Sequence, residues 1–329
     1  MGIKLKILRD AIQVARATTG HNFILKVEGS YHGQHESVCI SFNPSLEEDI
    51  GPANAPKAFP SHPGVPKEMQ EYTKVIPFNC SREIIEEQMS KVDNKIACII
   101  LEPILMNCAI IPAHPEFLRS LRQICSERNI YLIFDEVKTN TTVGIGGAVE
   151  AFGIVPDMIC LGKSISGGIP FGAVGMTEEI SEQVKNSNPS INSTFGGNPL
   201  AVACCLATLN EIMTPDAYKH IAKLQEMLKN GLEKLLSCYS IEGRVIIYGA
   251  KGCLLFMDHI PVNYRDWKEN NSHAFHYALH SFFLNSLIWM SGSGEEWTIS
   301  VAHTEDDISY FLQVTEHFFT TWRENSNKN

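Results

Sequence analysis

Residues 130–136 read IYLIFDE, a run of five apolar residues that ends in two carboxylates. Two similar runs lie nearby, ACIIL at 97–101 and DMICLGK at 157–163. Short continuous apolar runs are typical of strands that are buried on both faces of a parallel sheet. Between the runs at 97–101 and 130–136, the apolar residues of 117–128 recur at helical spacing. This alternation of strand and helix predicts an α/β fold with a mostly parallel sheet.

The second half of the chain has a different pattern, in which longer helices alternate with short strands. The predicted segments are helices at 200–213 and 217–236 and strands at 245–247 and 253–257. Thr304 is the expected N-cap of a last helix, because a hydroxyl there accepts a hydrogen bond from the first turn. We therefore predict a large domain over residues 1–213 and a smaller C-terminal α+β domain over residues 214–329.

The composition of the 329-residue chain argues against several function classes. It has 37 acidic and 27 basic residues and a formal net charge of −10, which disfavours binding to a phosphate backbone. No apolar run approaches the roughly 18 residues of a membrane-spanning helix, so we expect neither a nucleic-acid nor a membrane partner. The chain contains ten cysteines but no Cys-x-x-Cys pair. This argues against a metal site and favours reduced thiols in a cytoplasmic protein.

Two polar residues mark the ends of predicted strands. Asp135 ends one strand, and Lys163 follows another, with Gly167 and Gly168 shortly after it. Open α/β sheets bind ligands beyond the carboxyl ends of their strands, and right-handed crossovers bring those ends to one edge. Spacing alone leaves a salt bridge or solvated loop ends as the simpler interpretation of this acid and this amine.

Longer motifs surround these two residues. The chain reads YHG at 31–33, EP at 102–103, DEVKT at 135–139, LGKSISGGIPFGA at 161–173 and TFGGNPL at 194–200. In this order, and from about residue 11 to about residue 319, the chain resembles the class III pyridoxal-phosphate-dependent aminotransferases. The resemblance implies the PLP-dependent transferase fold of type I and pyridoxal 5′-phosphate (PLP) as cofactor. It also implies a small-molecule amino donor and acceptor, and a homodimer.

The resemblance assigns roles to particular residues. Lys163 resembles the lysine that forms a Schiff base with the cofactor and moves a proton between substrate and cofactor. Asp135 resembles the acid that keeps the pyridine nitrogen protonated, which makes the ring an electron sink. Val137 and Tyr31 resemble the residues that pack on the two faces of the ring, with His32 as the neighbour of Tyr31.

Finer features place the chain within the family. Thr194 resembles the residue that reaches the cofactor phosphate across a dimer interface. Many members of the family have a second Glu at the position of Asn107. An Asn there resembles the glutamate-1-semialdehyde aminomutase subgroup, in which this Asn hydrogen-bonds the ring oxygen of the cofactor. Within an irregular stretch at 41–77, SHPGVP at 61–66 resembles the lid of that branch, and residues 287–300 lack the family's C-terminal Arg. The chain is therefore nearest the aminomutase-like branch, which also contains aminotransferases.

Some positions depart from the family pattern. Family members hold the cofactor phosphate in a Ser-Gly-Thr/Ser-Glu-Ala cup. Residues 3–8 lie near the corresponding position but contain no Gly, Ser or Thr. We therefore expect an N-terminally short chain that binds PLP weakly. Asn140 and Thr142 replace the usual Gly and Arg. The leading hypothesis is an aminotransferase of specialised amino-acid or secondary metabolism. The alternatives are a glutamate-1-semialdehyde-type aminomutase and a truncated, catalytically impaired relative.

Overall fold

The computed structural model describes residues 2–93, 95–191, 193–290 and 296–326. The chain divides into two compact units. The first comprises Met1–Glu211 together with the short segment Val262–Arg265, and the second comprises Ile212–Pro261 and Asp266–Asn329. No pattern in the sequence predicts that residues 262–265 belong to the first unit.

Helices and strands alternate through the first unit and continue into the second. The strands are β1 (Phe23–Val27), β2 (Thr73–Ile76), β3 (Ile96–Leu101), β4 (Ile104–Leu105), β5 (Ile111–Pro112), β6 (Tyr131–Asp135), β7 (Met158–Gly162), β8 (Gly172–Met176), β9 (Arg244–Tyr248), β10 (Lys251–Leu255) and β11 (Glu296–Thr298). The α-helices are α1 (Gly2–Thr19), α2 (Arg82–Ser90), α3 (Pro115–Arg128), α4 (Asn140–Val143), α5 (Gly147–Phe152), α6 (Glu178–Ser187), α7 (Pro199–Ala207), α8 (Pro215–Tyr239), α9 (Tyr264–Asn270), α10 (His273–Asn285) and α11 (Glu305–Ser326).

The first unit is built on a six-stranded sheet in the order β2-β1-β3-β6-β7-β8. The first five strands run parallel, and β8 pairs antiparallel with β7. All six residues of β3 are buried, as expected for a strand covered on both faces. Helix α1 packs against β3, β6, β7 and β8, and α3 packs against β3 and β6. The predicted mostly parallel α/β sheet is confirmed.

Three strands of this sheet, β1, β2 and β8, were not predicted. Strand β2 lies inside the stretch 41–77 that we expected to be irregular, and a 3₁₀ helix at Lys67–Tyr72 precedes it. Its four residues are too few to show a clear alternation of polar and apolar side chains. The strand is stabilised by its pairing with β1, which the local sequence does not reveal. Strand β8 contains two glycines, and a Cβ at Gly175 would lie 2.8 Å from the Ile159 side chain. This close approach explains why a strand with poor β-propensity forms there.

The second unit combines a three-stranded antiparallel sheet, in the order β11-β10-β9, with long helices. Its core contains apolar residues of α8 and α11 such as Leu228 and Phe319, which confirms the expected α+β character. Thr304 caps α11: its hydroxyl donates to Asp307 Oδ2 over 2.8 Å, and Asp307 N–H donates to Thr304 Oγ1 over 3.4 Å. In the described part of the chain, no helix is both long and apolar enough to cross a membrane.

Candidate active site

The carboxyl end of β6 carries a buried carboxylate. Asp135, its last residue, is 1% exposed. The His32 Nδ1 atom lies 2.8 Å from Asp135 Oδ2, and the Val137 N–H donates to Asp135 Oδ1 over 3.1 Å. An ionised carboxylate only accepts hydrogen bonds, so an ionised Asp135 requires the His32 proton on Nδ1. These bonds compensate part of the cost of burying the charge and fix the orientation of the carboxylate.

A second buried carboxylate joins two further candidate residues. Glu102, directly after β3, is 2% exposed. Its Oε1 accepts the Tyr31 backbone N–H over 2.7 Å, and its Oε2 accepts the Asn107 Nδ2 amide over 3.2 Å. Sequence reasoning noted the Glu-Pro motif but gave Glu102 no role in the site. The signal was present, because an acid directly after an all-apolar strand has to find buried partners.

Tyr31 and Val137, the expected ring-packing residues, have different surroundings. The Tyr31 ring is half-buried and lies against Phe42, with ring centroids 4.6 Å apart. Val137 is almost completely buried and belongs to the core cluster that α1 forms with the sheet. Its Cγ1 also lies 3.5 Å from the position that a Cβ at Gly162 would occupy, so Val137 reaches the end of β7.

Lys163 begins the turn that follows β7. Strands β6 and β7 are parallel neighbours with Asp135 opposite Cys160, so Asp135 and Lys163 leave the sheet at the same edge. Lys163 is exposed and has a left-handed φ of 54°, a conformation that costs a non-glycine residue about 1–2 kcal/mol. The exposed amine is therefore accessible to a ligand while its backbone is held in a specific geometry.

Thr194 lies outside the buried group. It is exposed in a turn at 193–196, and its neighbours Ser193 and Phe195 line a cavity of about 640 Å³ together with Lys6 and Asp10 of α1. The structure thus brings His32, Asp135 and Val137 together. It connects Tyr31 with Asn107 through Glu102, places Lys163 directly after the neighbouring strand, and leaves Thr194 at the surface.

A buried lysine holds the loop that precedes Tyr31. Lys26 in β1 is 0% exposed, and its Nζ donates to the carbonyl oxygens of Ser30, over 3.1 Å, and Ile40, over 2.6 Å. Burial lowers the pKa of Lys26 to about 8, against the opposing effect of the Glu102 charge. By holding Ser30, Lys26 fixes the residue before Tyr31. Sequence reasoning missed it, although a single lysine inside the strand FILKV was a usable signal.

These geometric features agree with comparisons to known proteins. The family model Aminotransferase class-III matches residues 5–263. A glutamate-1-semialdehyde 2,1-aminomutase from Desulfatibacillum aliphaticivorans is 33% identical over 93% of this chain and 70% of its own length. One from Methanopyrus kandleri is 35% identical, over 94% of this chain and 69% of its own length. An omega-transaminase structure from Sphaerobacter thermophilus has a TM-score of 0.85 at 25% identity, covering 97% of this chain and 72% of that one.

Fold and site together define a PLP-dependent transferase. The chain belongs to the class-III aminotransferase family, and its cofactor is pyridoxal 5′-phosphate. The side chains present fit that group. A buried carboxylate suits a protonated ring nitrogen, the exposed amine of Lys163 suits an aldehyde carbon, and an amide N–H of Asn107 suits the ring oxygen.

Lys26 makes the stability of the fold depend on pH. Its folded pKa of about 8 lies below the ordinary 10.5, so between these values the unfolded chain binds the extra proton. The contribution of Lys26 to the free energy of unfolding should therefore rise from pH 8 to pH 10.5, by about 3 kcal/mol in total. Below pH 8 this contribution should be constant, because both states are then protonated.

Urea unfolding of the wild type and of Lys26→Met across pH 7–10.5 measures this effect. The difference between the two free energies of unfolding isolates Lys26 from the other groups that titrate in this range. We expect the free energy of unfolding of the wild type to increase relative to that of Lys26→Met as the pH rises above 8. Parallel curves for the two proteins would show that Lys26 keeps an ordinary pKa in the folded chain.

Proposed function

We propose that this chain moves an amino group between an amino acid or amine and a keto or aldehyde acceptor, with Lys163 and Asp135 as catalytic residues. The observation that carries the proposal is the edge formed by β6 and β7. It presents a buried, hydrogen-bonded carboxylate at the end of one strand and an exposed amine directly after the next.

Asp135 holds a proton at the ring nitrogen of the cofactor. When bound, PLP supplies an electron sink for negative charge at the substrate carbon, and this sink depends on a protonated ring. The Asp135 carboxylate is buried, so its attraction for an N–H⁺ group is stronger than it would be in water. The bond from His32 Nδ1, over 2.8 Å, keeps one carboxylate oxygen in place, and the other oxygen faces the Val137 N–H.

Lys163 links the cofactor and then takes up and returns the proton of the substrate carbon. Its exposed side chain gives the amine access to both groups. Tyr31 and Val137 would pack on the ring, and Asn107, whose amide is oriented by Glu102, would donate to the ring oxygen. Thr194 would contact the phosphate from a partner subunit, a role that its exposed turn allows.

An aminomutase is the second candidate function. Two features favour it: relatives that are a third identical are glutamate-1-semialdehyde 2,1-aminomutases, and the sequence resemblance matches Asn107 with that branch. Both reactions use the same lysine and acid. An aminotransferase needs a separate amino donor and a keto acceptor, whereas an aminomutase turns over a single substrate. Assays with and without an added donor therefore separate the two functions.

A second copy of the chain is the proposed partner. Apolar side chains at and after the 193–196 turn are exposed, Phe195 at 80% and Leu200 at 66%. Leu206 and Leu209 continue this surface, at 55% and 46% exposed. Apolar surface of this kind marks an interaction site, and a homodimer would place Thr194 of one copy near the site of the other. A cytoplasmic location is also proposed, supported by ten free cysteines.

Reduction of the PLP-loaded protein with borohydride should fix the pyridoxyl group on Lys163. Peptide mapping by mass spectrometry locates the label. Lys163→Ala should lose both the label and at least about a hundredfold in turnover, the lower end of what a proton-transferring group contributes. Lys185→Ala, which changes an exposed lysine of α6, serves as the control and should keep both. A label on another lysine while Lys163 stays free would contradict the assignment.

Asp135→Asn should leave the fold intact and lower turnover by at least about a hundredfold, because a neutral amide holds the ring proton poorly. Asp157→Asn is the matched control. Asp157 precedes β7 and accepts the Leu132 N–H over 2.7 Å, so its loss affects stability but not the site. Steady-state rates and thermal unfolding of both variants make the comparison. Near-normal turnover of Asp135→Asn would remove Asp135 from the mechanism.

Sedimentation equilibrium should give twice the 36.6 kDa of one chain. Leu200→Glu should shift this equilibrium towards the single chain, since it places a charge in the apolar contact. Val155→Glu is the control, because Val155 is equally exposed, at 68%, but lies in the loop before β7. A monomeric wild type, or equal effects of the two variants, would contradict the proposed interface.

A further inference from the structure

The residue at position 140 departs from the family pattern, and the structure gives its side chain a specific place. Asn140 begins α4 and is 6% exposed. Its Nδ2 lies 2.5 Å from the Glu136 carbonyl oxygen, just beyond β6, and 3.2 Å from the Gly162 carbonyl oxygen, at the end of β7. The Asn140 amide therefore ties the ends of two neighbouring strands together. A glycine at this position has no side chain to do so.

The next residue makes a contact on the other side of Lys163. The hydroxyl oxygens of Thr141 and Ser164 lie 2.5 Å apart, within hydrogen-bond distance. Thr141 is also buried, at 6% exposed. Gly162 and Ser164 are the two chain neighbours of Lys163. Two consecutive residues of α4 thus bond to the residues immediately before and after the lysine, Asn140 to the Gly162 carbonyl oxygen and Thr141 to the Ser164 hydroxyl.

The backbone of Lys163 needs such support. Gly162 is extended, with φ of −176°, and Lys163 then turns into the left-handed region, with φ of 54°. A non-glycine residue in that region is strained, and it stays there only when surrounding contacts favour it. The bonds from Asn140 and Thr141 are contacts of this kind. Without them, Lys163 would relax towards ordinary backbone angles and its amine would move.

We propose that Asn140 and Thr141 are positioning residues that hold the chain on both sides of Lys163 and so place its amine for the cofactor. This inference rests on the proposed role of Lys163. The two residues act by reducing the number of positions that the amine samples before it reacts, which is a preorganisation effect.

The experiment compares two neighbouring threonines in the full-length chain. Thr141→Val removes the hydroxyl that meets Ser164. Thr142→Val removes a similarly buried hydroxyl of the same helix, whose hydrogen bond goes to the Lys138 carbonyl oxygen instead of to a neighbour of Lys163. Each protein is titrated with PLP to obtain the dissociation constant. The pH dependence of the visible absorbance of bound PLP and the thermal unfolding midpoint are measured as well.

We expect Thr141→Val to raise the dissociation constant of PLP by about three- to tenfold, the effect of one hydrogen bond. It should also shift the pH profile of the absorbance, which a purely structural hydroxyl would not do. Thr142→Val should leave both unchanged. Ser164→Ala should reproduce Thr141→Val, and the double variant should be no worse than either single one, because all three lose the same bond. Asn140→Gly should exceed these effects.

The outcomes separate this proposal from the proposed function. Borohydride labelling on a lysine other than Lys163 would overturn both. Labelling on Lys163, together with equal dissociation constants and pH profiles for Thr141→Val and Thr142→Val, would overturn the positioning role alone. Additive losses in the Thr141→Val/Ser164→Ala double variant would also overturn it. If Asn140→Gly fails to fold, the threonine comparison decides.

Discussion

The hydrogen bond between His32 and Asp135 is the interaction around which the site is arranged. A parallel sheet buries its strands on both faces, so a carboxylate at a strand end remains ionised only if the protein supplies donors. His32 supplies one of them from a loop that follows β1, two strands away from β6. The same bond therefore fixes the carboxylate and anchors the loop that carries Tyr31. The position of Tyr31 thus follows in part from the need of the Asp135 carboxylate for a donor.

The other buried charges of the first unit obey the same rule. Glu28 pairs with Arg265 through two bonds of 2.8 Å, and Arg265 comes from the segment 262–265 that belongs to this unit. Glu136 accepts N–H groups of Ala148 and Val149 at the start of α5, while burial raises the pKa of its carboxyl. Each charge draws a loop or a helix end towards the sheet edge. Irregular chain becomes ordered there because a buried charge without partners costs several kcal/mol.

The sequence was sufficient for the elements whose cause is local. Strands β3, β6 and β7 carry continuous apolar runs, and Thr304 has the side chain that a cap requires, so these features were predicted within one or two residues. Strand β2 was missed because its pairing with β1 stabilises it. The conformation of Lys163, and the helical turn of α4 that holds its neighbours, were missed for a related reason. Both depend on contacts between residues about 20 positions apart, and no local pattern records such contacts.

Two lysines serve this sheet edge, and their environments explain why only one is suited to covalent chemistry. Burial lowers the pKa of Lys26 to about 8, which increases the neutral, nucleophilic fraction of its own amine near neutral pH. Its Nζ, however, is fully buried and donates to two backbone carbonyl oxygens, so no substrate reaches it. Lys163 is exposed at the carboxyl end of its strand, where ligands of such sheets bind. Access rather than pKa therefore favours Lys163 over Lys26 for the proposed covalent role, and a reduced pKa at Lys26 is tolerated because its structural role needs only the donors.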